Sequence, residues 1–328
     1  KNSKLREVLE PIMKKNKKHY INYSRTNPNK RDIRLPKRKK RAGFNAKKIL
    51  LLLIIIACAA GCFKLINAYR SNEEAENKTK IENKQAQTQT KKTKTVIGQK
   101  EDAKKLYGVD SQKVWNALNT YDYDNGGKKQ VFLTFDDGPS LTNTPNILKT
   151  LKDNDVKATF FVIGKSLAMN GAADILKQEY NEGMAIANHS YSHDYSHLYP
   201  GRVLNLSNYT ADFNKNADLI KKSLGFDFET RVYRCPGGQI SWQKTEPLNE
   251  YLIKNNKSSI DWNALNADAE GPKKNADELY KHAVESSKGK NLVVLLMHDT
   301  YGKEETAKYL DRIIKYFKAE GYEFKTMY

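Results

Sequence analysis

From residue 130 to the end of the chain, short apolar runs alternate with longer stretches of helical periodicity. The apolar runs are 130–135, 157–163, 184–188, 231–235, 258–262, 292–297 and 322–327. The helical stretches lie near 144–154, 172–182, 206–224, 246–255, 276–288 and 304–320. This alternation predicts a parallel sheet covered by helices, because consecutive parallel strands need a crossover connection. The pattern leaves open whether seven strands close into a (β/α) barrel or form an open, doubly wound sheet.

Ionisable residues follow the carboxyl ends of five predicted strands. They are Asp136 and Asp137, then His189 and His193, then Arg234, Asp261 and His298. Active sites of parallel α/β folds lie at the carboxyl ends of the strands, so we expect these side chains to share one site. Each residue alone would be more ordinary as a hydrogen-bonded structural residue. The prediction therefore depends on their coincidence at one edge of the sheet.

The residue types at this edge suit a metal ion. Asp136 and Asp137 are adjacent carboxylates, which repel each other unless a metal, a cation or a proton separates their roles. His189 and His193 are four residues apart, so one helical turn would point both imidazoles the same way, as at zinc sites. Two histidines and one carboxylate leave coordination positions open for water and substrate. His197 continues the spacing, but a surface role fits it better than a fourth ligand role.

The amino-terminal region has a different character. Residues 1–48 hold 18 Lys or Arg against 3 Asp or Glu, a net charge of +15 out of +19 for the chain. An apolar run follows, and we interpret 49–68 as a single transmembrane helix behind a basic cytoplasmic tail, with the remaining chain outside the cell. This position favours membrane lipid over nucleic acid as partner of the tail. A rival interpretation makes Cys62 a lipidated lipoprotein cysteine, which the long basic region disfavours.

Three further segments complete the predicted organisation. Residues 69–100 are polar enough to form a disordered stalk, 101–129 form a short pre-domain segment, and 130–328 form the main domain. Cys235 is the only cysteine beyond the apolar run, so we expect no disulfide within the domain. We interpret Cys235 as a small buried filler of the core.

Five ordered motifs resemble those of the polysaccharide deacetylases, the NodB-homology enzymes of carbohydrate esterase family 4. They are Thr-Phe-Asp-Asp-Gly-Pro-Ser at 134–140, His-Ser-Tyr-Ser-His at 189–193, Arg-Cys-Pro-Gly-Gly at 234–238, Asp-Trp at 261–262 and Leu-Met-His at 296–298. The similarity covers about residues 130–328 and is greatest to membrane-anchored peptidoglycan N-acetylglucosamine deacetylases. It implies a distorted seven-stranded barrel.

The resemblance also implies a ligand set and a base. Asp137, His189 and His193 would bind one divalent ion, Zn²⁺ in our interpretation, with Co²⁺, Ni²⁺ or Mn²⁺ as alternatives. Asp136 would be the general base, held ionised by Arg234, that accepts a proton as activated water attacks the acetamide carbonyl.

The remaining motifs imply an acid and a groove. His298 would protonate the departing amine, with Asp261 as the partner that raises its pKa. The backbone N–H of Gly237 would stabilise the oxyanion, while Trp262 and Leu296 would line the groove for acetyl group and sugar. Many relatives carry an aromatic residue where Gly237 stands, so the groove wall is expected to be more open there.

The implied reaction removes N-acetyl groups from a cell-wall glycan, giving free amine and acetate. N-acetylglucosamine of peptidoglycan is the leading substrate, and the product amines would increase resistance to lysozyme. N-acetylmuramic acid, exopolysaccharide N-acetylglucosamine and O-acetylated xylan remain alternatives, because loops rather than strand ends decide the sugar. An inactive glycan-binding barrel is a further alternative. A phosphohydrolase fits less well, since that chemistry does not use the histidine pair.

Overall fold

A computed structural model of the chain describes residues 95–328. The predicted basic tail 1–48, the predicted transmembrane helix 49–68 and the part of the predicted stalk at 69–94 lie outside the described residues. Within 95–328, none of the helices has the length and apolar character that crossing a membrane requires.

Residues 95–328 form eleven strands, and every pairing between them is parallel. The strands are β1 (Val96–Ile97), β2 (Gly108–Val109), β3 (Gln130–Asp136), β4 (Thr159–Val162), β5 (Ala185–Asn188), β6 (Phe228–Glu229), β7 (Val232–Tyr233), β8 (Ser258–Ser259), β9 (Ala264–Leu265), β10 (Leu292–His298) and β11 (Glu323–Met327). All seven predicted strands are present. The four additional strands have two residues each, too few for apolar alternation to be seen in the sequence.

Ten α-helices connect these strands within the described region. They are α1 (Glu101–Tyr107), α2 (Ser111–Thr120), α3 (Thr144–Asp153), α4 (Gly164–Leu167), α5 (Ala172–Asn181), α6 (Tyr195–Leu198), α7 (Leu206–Leu224), α8 (Glu246–Lys254), α9 (Ala276–Ser287) and α10 (Glu304–Ala319). The six long predicted helices are confirmed within one residue at each end. Their ends carry ordinary signals: Asn275 forms a capping box with Glu278 at the start of α9, and α7 stops at Gly225 in the left-handed conformation.

The central sheet curls around β3. Its hydrogen-bonded path runs β8-β7-β5-β4-β3-β10-β9. One edge of β3 pairs with β10 along its whole length, which places His298 opposite Asp136. The other edge is shared, because β11 pairs with 130–132 and β4 with 134–136. The carboxyl end of β3 therefore lies in the middle of the sheet, between β4 and β10.

The predicted α/β class and parallel sheet are confirmed, but the closed barrel is not. The seventh predicted strand, β11, pairs with β2 and with the first half of β3 instead of completing a ring. The two-residue β9 takes the seventh place on the path. Within 95–328 no ladder joins β8 to β9, so the structure is a curled parallel sheet with an open seam.

Alternation along β3 decides which side chains reach the interior of the curl. Val131, Leu133 and Phe135 belong to an apolar cluster that also contains buried residues of α3, α9 and α10. The intervening residues Phe132, Thr134 and Asp136 point to the other face. All seven residues of β3 are buried, as expected for a parallel strand covered on both faces. Asp136 is thus the polar end of a buried inward-facing row.

The segment before residue 101 corrects the predicted domain boundaries. Val96 and Ile97 pair with β6, and the carbonyl of Gly98 accepts a hydrogen bond from the N–H of Ile186 at 2.8 Å. Gln99 is fully buried. The prediction of a disordered stalk was therefore wrong for 95–100. Backbone pairing and a single buried glutamine hold this segment, and neither leaves an apolar periodicity in the sequence.

We predict that Gln99→Ala destabilises the full-length protein by about 1–3 kcal/mol, because two buried groups lose their partner. Gln99 Nε2 donates to the carbonyl of Gly183 at 2.6 Å, and its Oε1 accepts from Thr326 Oγ1 at 2.8 Å. Urea unfolding measures the change. Gln243→Ala, at an exposed position, is the control. Equal free energies of unfolding for the two variants would show that the segment does not belong to the cooperative fold.

Candidate metal centre and active site

The two adjacent carboxylates converge on one point because the chain turns sharply between them. Asp136 is the last residue of β3, and Asp137 follows with φ 73°, in the left-handed region. In an extended strand their side chains would point to opposite faces. Here His189 Nε2 lies 3.5 Å from Asp136 Oδ2 and 3.5 Å from Asp137 Oδ1.

The two motif histidines converge through a loop, and the predicted helical turn was wrong. Residues 189–194 follow β5 without helix, and Ser190 and His193 have φ of 72° and 50°. The imidazole centroids are 5.1 Å apart. Asp212 on α7 holds the loop, accepting hydrogen bonds from the N–H groups of Tyr191 at 2.7 Å and Ser192 at 3.0 Å. A loop held by a buried carboxylate thus brings the two imidazoles together, where a helical turn was expected.

Asp137, His189 and His193 fit a single divalent ion. Their ligand atoms all lie within 4.8 Å of one another, and Asp137 Oδ1 is 3.5 Å from His189 Nε2 and 3.6 Å from His193 Nε2. Ligands at ~2.1 Å from a tetrahedral ion are ~3.4 Å apart, so the spacing suits Zn²⁺. Asp137 Oδ1 is buried and has no hydrogen-bond partner among the described residues. His197 is exposed and outside this group.

His189 is prepared to act as a neutral ligand. Its Nδ1–H donates to the carbonyl of Arg234 at 2.9 Å, which leaves the lone pair on Nε2 facing the carboxylates. Burial and, to a smaller extent, the neighbouring His193 lower the pKa of His189 to about 3. The imidazole therefore stays unprotonated across the physiological range.

Arg234 confirms the predicted pairing with Asp136. Its guanidinium is fully buried, and Nη1 donates to Asp136 Oδ1 at 2.6 Å and to Thr134 Oγ1 at 3.0 Å. Its Nε donates to the carbonyl of Ile260 at 2.7 Å, and the guanidinium carbon lies 3.9 Å from the Phe161 ring centroid. Burial nevertheless raises the pKa of Asp136, with Arg234 opposing the shift. A carboxylate of raised pKa is the better proton acceptor.

The partner of His298 is Asp268, and the prediction of Asp261 was wrong. His298 Nδ1–H donates to Asp268 Oδ1 at 2.7 Å, while its backbone N–H donates to Asp268 Oδ2 at 3.0 Å. The other ring nitrogen, Nε2, lies 4.0 Å from Asp137 Oδ2. Asp268 follows β9, which was too short to be found in the sequence. The only signal was a carboxylate after an unrecognised strand end.

The pair keeps His298 protonated. Burial alone would lower the pKa of His298, but the hydrogen bond and charge of Asp268, with the charges of Asp137 and Asp136, raise it to about 9. Burial alone would raise the pKa of Asp268, yet the hydrogen bond and charge of His298 hold it below its usual range. An imidazolium therefore faces the carboxylates from β10 at neutral pH.

Asp261 instead shapes the loop after β7. Its carboxylate accepts hydrogen bonds from the backbone N–H groups of Gln239 at 2.9 Å and Ile240 at 3.3 Å. These contacts fix the turn that carries Gly237 and Gly238, both in the left-handed region. A Cβ on Gly238 would lie 2.9 Å from Trp262, so glycine permits close approach of that ring.

The other predicted groove residues lie next to this constellation. Leu296 pairs in register with Thr134, one inward-facing position below His298, and is 8% exposed. The Arg234 guanidinium carbon is 5.7 Å from the Trp262 ring centroid. Within 95–328 the N–H of Gly237 donates no hydrogen bond. Cys235 is fully buried, as predicted, with Sγ 3.7 Å from Tyr209 Oη and from Ser259 Oγ.

A second contact links the first and last motifs. A Cβ on Gly138 would collide with the carboxylate of Asp299, so only glycine fits there. The N–H of Asp299 donates to the carbonyl of Asp136 at 3.2 Å, and its carbonyl accepts from Ser140 Oγ at 2.7 Å. Asp299 Oδ2 accepts from Thr144 Oγ1 at 2.5 Å. The turn after the carboxylate doublet is thereby fastened to the residue after His298.

We predict that the full-length protein binds one divalent ion at the three-ligand set. Loss of a hydrogen-bond partner of a metal ligand typically weakens metal affinity about 10- to 100-fold. Asp137→Asn should weaken zinc affinity by more than this, because it removes a charged ligand itself. Competition with a chromophoric chelator measures affinity. His197→Gln is the control and should bind zinc as the unaltered chain does. Equal affinity in the Asp137 and His197 variants would refute the assignment.

Asp268→Asn should lower the pKa of His298 from about 9 by at least about one unit, because it removes the charge that stabilises the imidazolium. The His298 ring titration, followed by NMR in metal-free protein, measures the shift. Asp261→Asn serves as the matched control, since within 95–328 the Asp261 carboxylate accepts hydrogen bonds from backbone N–H groups only. A larger shift in the control would restore Asp261 as the partner.

Comparisons with known proteins agree with this site. A family model described as polysaccharide deacetylase matches residues 123–254. The peptidoglycan-N-acetylglucosamine deacetylase PgdA of Listeria monocytogenes is 32% identical over 203 residues, which are 61% of this chain but only 38% of the relative. A peptidoglycan-N-acetylglucosamine deacetylase of Bacillus cereus is 32% identical over 208 residues, covering 61% of this chain and 67% of the relative.

A solved structure extends the similarity to three dimensions. The carbohydrate esterase family 4 (CE4) esterase of Streptococcus mutans superposes with a TM-score of 0.65 at 34% identity. The match covers 71% of this chain and 96% of that one. From the match to the Bacillus cereus relative over two thirds of its length, and from the shared fold, it follows that this chain belongs to the polysaccharide deacetylase family.

Proposed function

We propose that this protein is a metal-dependent hydrolase that removes N-acetyl groups from a cell-wall glycan, with N-acetylglucosamine of peptidoglycan as the substrate. The observation that carries the proposal is a three-ligand set, Asp137, His189 and His193, with a carboxylate (Asp136) and an imidazolium (His298) next to it. Relatives in Listeria and Bacillus are named peptidoglycan-N-acetylglucosamine deacetylases, which supports the choice of sugar.

Asp136 is the general base of the proposed reaction. When bound, a divalent ion such as Zn²⁺ supplies Lewis-acid activation of water and of the acetamide carbonyl. Asp136 Oδ1 is occupied by Arg234, while Oδ2 faces the metal ligands at 3.5 Å from His189 Nε2. Oδ2 is therefore the atom that accepts a proton from the attacking water. The buried guanidinium keeps the carboxylate in place during this transfer.

His298 is the general acid that protonates the departing amine. It is protonated at neutral pH, and its Nε2 lies 4.0 Å from Asp137 Oδ2. An amine is a poor leaving group without a proton, so this transfer is essential. The N–H of Gly237, which has no acceptor within 95–328, is the donor that we assign to the developing oxyanion.

A glycan-binding protein without turnover is the alternative function. Such a protein would not need a base, an acid and a ligand set in one arrangement. Here Asp136, His298 and the three ligands are all present, and their side chains lie close to one another. The completeness of the site favours hydrolysis over binding alone.

The proposed location of the reaction is the outer face of the cell membrane. The basic run within 1–48 and the apolar run 49–68 support a single span with the hydrolase outside, where peptidoglycan is found. Deacetylation there would leave free amines on the glycan strands. The added positive charge would make the wall a poorer substrate for lysozyme.

Asp136→Asn should reduce acetate release from purified peptidoglycan by about 100- to 10,000-fold, because the base is lost while the metal ligands remain. Treatment with a chelator should abolish release, and zinc should restore it. Mass spectrometry of muramidase fragments identifies the sugar that loses 42 Da as acetyl becomes hydrogen.

Asp122→Asn, an exposed carboxylate outside the site, is the matched control and should keep full activity. Zinc content is measured for each variant. Zinc-loaded, unaltered protein that releases no acetate would refute the proposed reaction. Acetate loss from muramic acid residues alone would keep the reaction but change the substrate.

A further inference from the structure

The space beside Gly237 is filled by aromatic side chains from two other segments. A Cβ on Gly237 would lie 3.2 Å from the Trp242 ring, 3.3 Å from Tyr195 Oη and 3.4 Å from the adjacent ring carbon. Gly237 also has φ 77°, which side chains rarely adopt. The expected opening of the groove at this position is therefore absent, because Tyr195 and Trp242 close it.

Tyr195 is held close to a metal ligand by the loop that it follows. Its ring centroid is 5.2 Å from that of His193, so the two rings are in contact. Asp194 caps the short helix α6, accepting hydrogen bonds from the N–H groups of Ser196 and His197. Tyr195 is 45% exposed, and its hydroxyl makes no hydrogen bond within 95–328. A large part of the side chain is thus available to a ligand.

Trp242 is a rigid support for Tyr195. The two ring centroids are 5.1 Å apart. Trp242 stacks on buried Tyr199 at 4.1 Å with an interplanar angle of 8°, and its Nε1–H donates to the carbonyl of Pro236 at 2.8 Å. Its polar atom is therefore satisfied, and the ring is fixed on one face. Arg202 adds a guanidinium 5.6 Å from the Trp242 centroid.

We propose that Tyr195 and Trp242 form an aromatic wall that binds the sugar ring next to the reacting N-acetylhexosamine and thereby selects polymeric glycan. The inference depends on the proposed function, since it places the wall beside the site of deacetylation. Aromatic faces pack against the C–H faces of pyranose rings, and the free Tyr195 hydroxyl supplies a donor to a sugar oxygen. A polymeric glycan would contact the wall with more than one sugar ring, so we expect loss of the wall to weaken a long substrate more than a single amino sugar.

The test compares a long and a short substrate on full-length, zinc-loaded protein. Tyr195→Ala and Trp242→Ala should each raise KM for penta-N-acetylchitopentaose about tenfold, while KM for N-acetylglucosamine changes less than about twofold. Tyr195→Phe keeps the ring and should stay within about fivefold of the unaltered enzyme. Tyr121→Ala, which removes a tyrosine that is 93% exposed outside the wall, should leave both values unchanged.

Binding without turnover separates this inference from the proposed function. In the Asp136→Asn background, calorimetry measures pentasaccharide affinity, and Tyr195→Ala should weaken it about tenfold with zinc content unchanged. Equal affinity with and without the Tyr195 ring, or an equal rise in KM for both substrates, would refute the proposed wall. Absence of acetate release by zinc-loaded, unaltered protein would instead overturn the hydrolase, while the binding result would still decide the wall.

Discussion

The buried guanidinium of Arg234 is the contact on which the site depends. It joins Asp136 at the end of β3 to the carbonyl of Ile260 beyond β8, and its own carbonyl fixes the tautomer of His189. Arg234 thus positions the base Asp136 with its side chain and the metal ligand His189 with its backbone carbonyl. Removing either member of a buried ion pair costs about 3–5 kcal/mol, because the remaining charge has no partner. Stability and chemistry are therefore linked at this residue, and a substitution there would disturb both.

Much of the architecture could be predicted from the sequence because it follows from periodicity. Helices such as 206–224 carry apolar residues at a period of 3.6 over several turns, and the strand ends place Asp136 and His298 by a rule of topology. The partner of His298 could not be found in this way. Asp268 depends on the two-residue strand β9 and on a loop whose direction no pattern records. Resemblance to the family favoured Asp261, which is close in the chain but bonds elsewhere.

Other differences from the predictions have related causes. The histidine pair was expected on a helix because four residues make one turn, yet a loop anchored by Asp212 achieves the same convergence. The stalk was extended to residue 100 because its composition is polar, while backbone pairing by Val96 and a buried Gln99 needs few apolar residues. Gly237 was expected to open the groove wall, and that expectation was wrong. The compensation of Gly237 by an aromatic side chain from a distant segment is visible only in three dimensions.

The fastening of Gly138 to Asp299 has a consequence for how such sequences can diverge. Because the Asp299 carboxylate occupies the volume that any side chain at 138 would need, the two positions cannot vary independently. A bulkier residue at 138 becomes tolerable only after 299 has become smaller, and the intermediate would disturb the neighbouring carboxylate doublet. Exposed residues of the loops around the groove, such as Ile240, are not confined in this way. Mutational drift should therefore alter glycan preference in the loops long before it alters the turn at the bottom of the site.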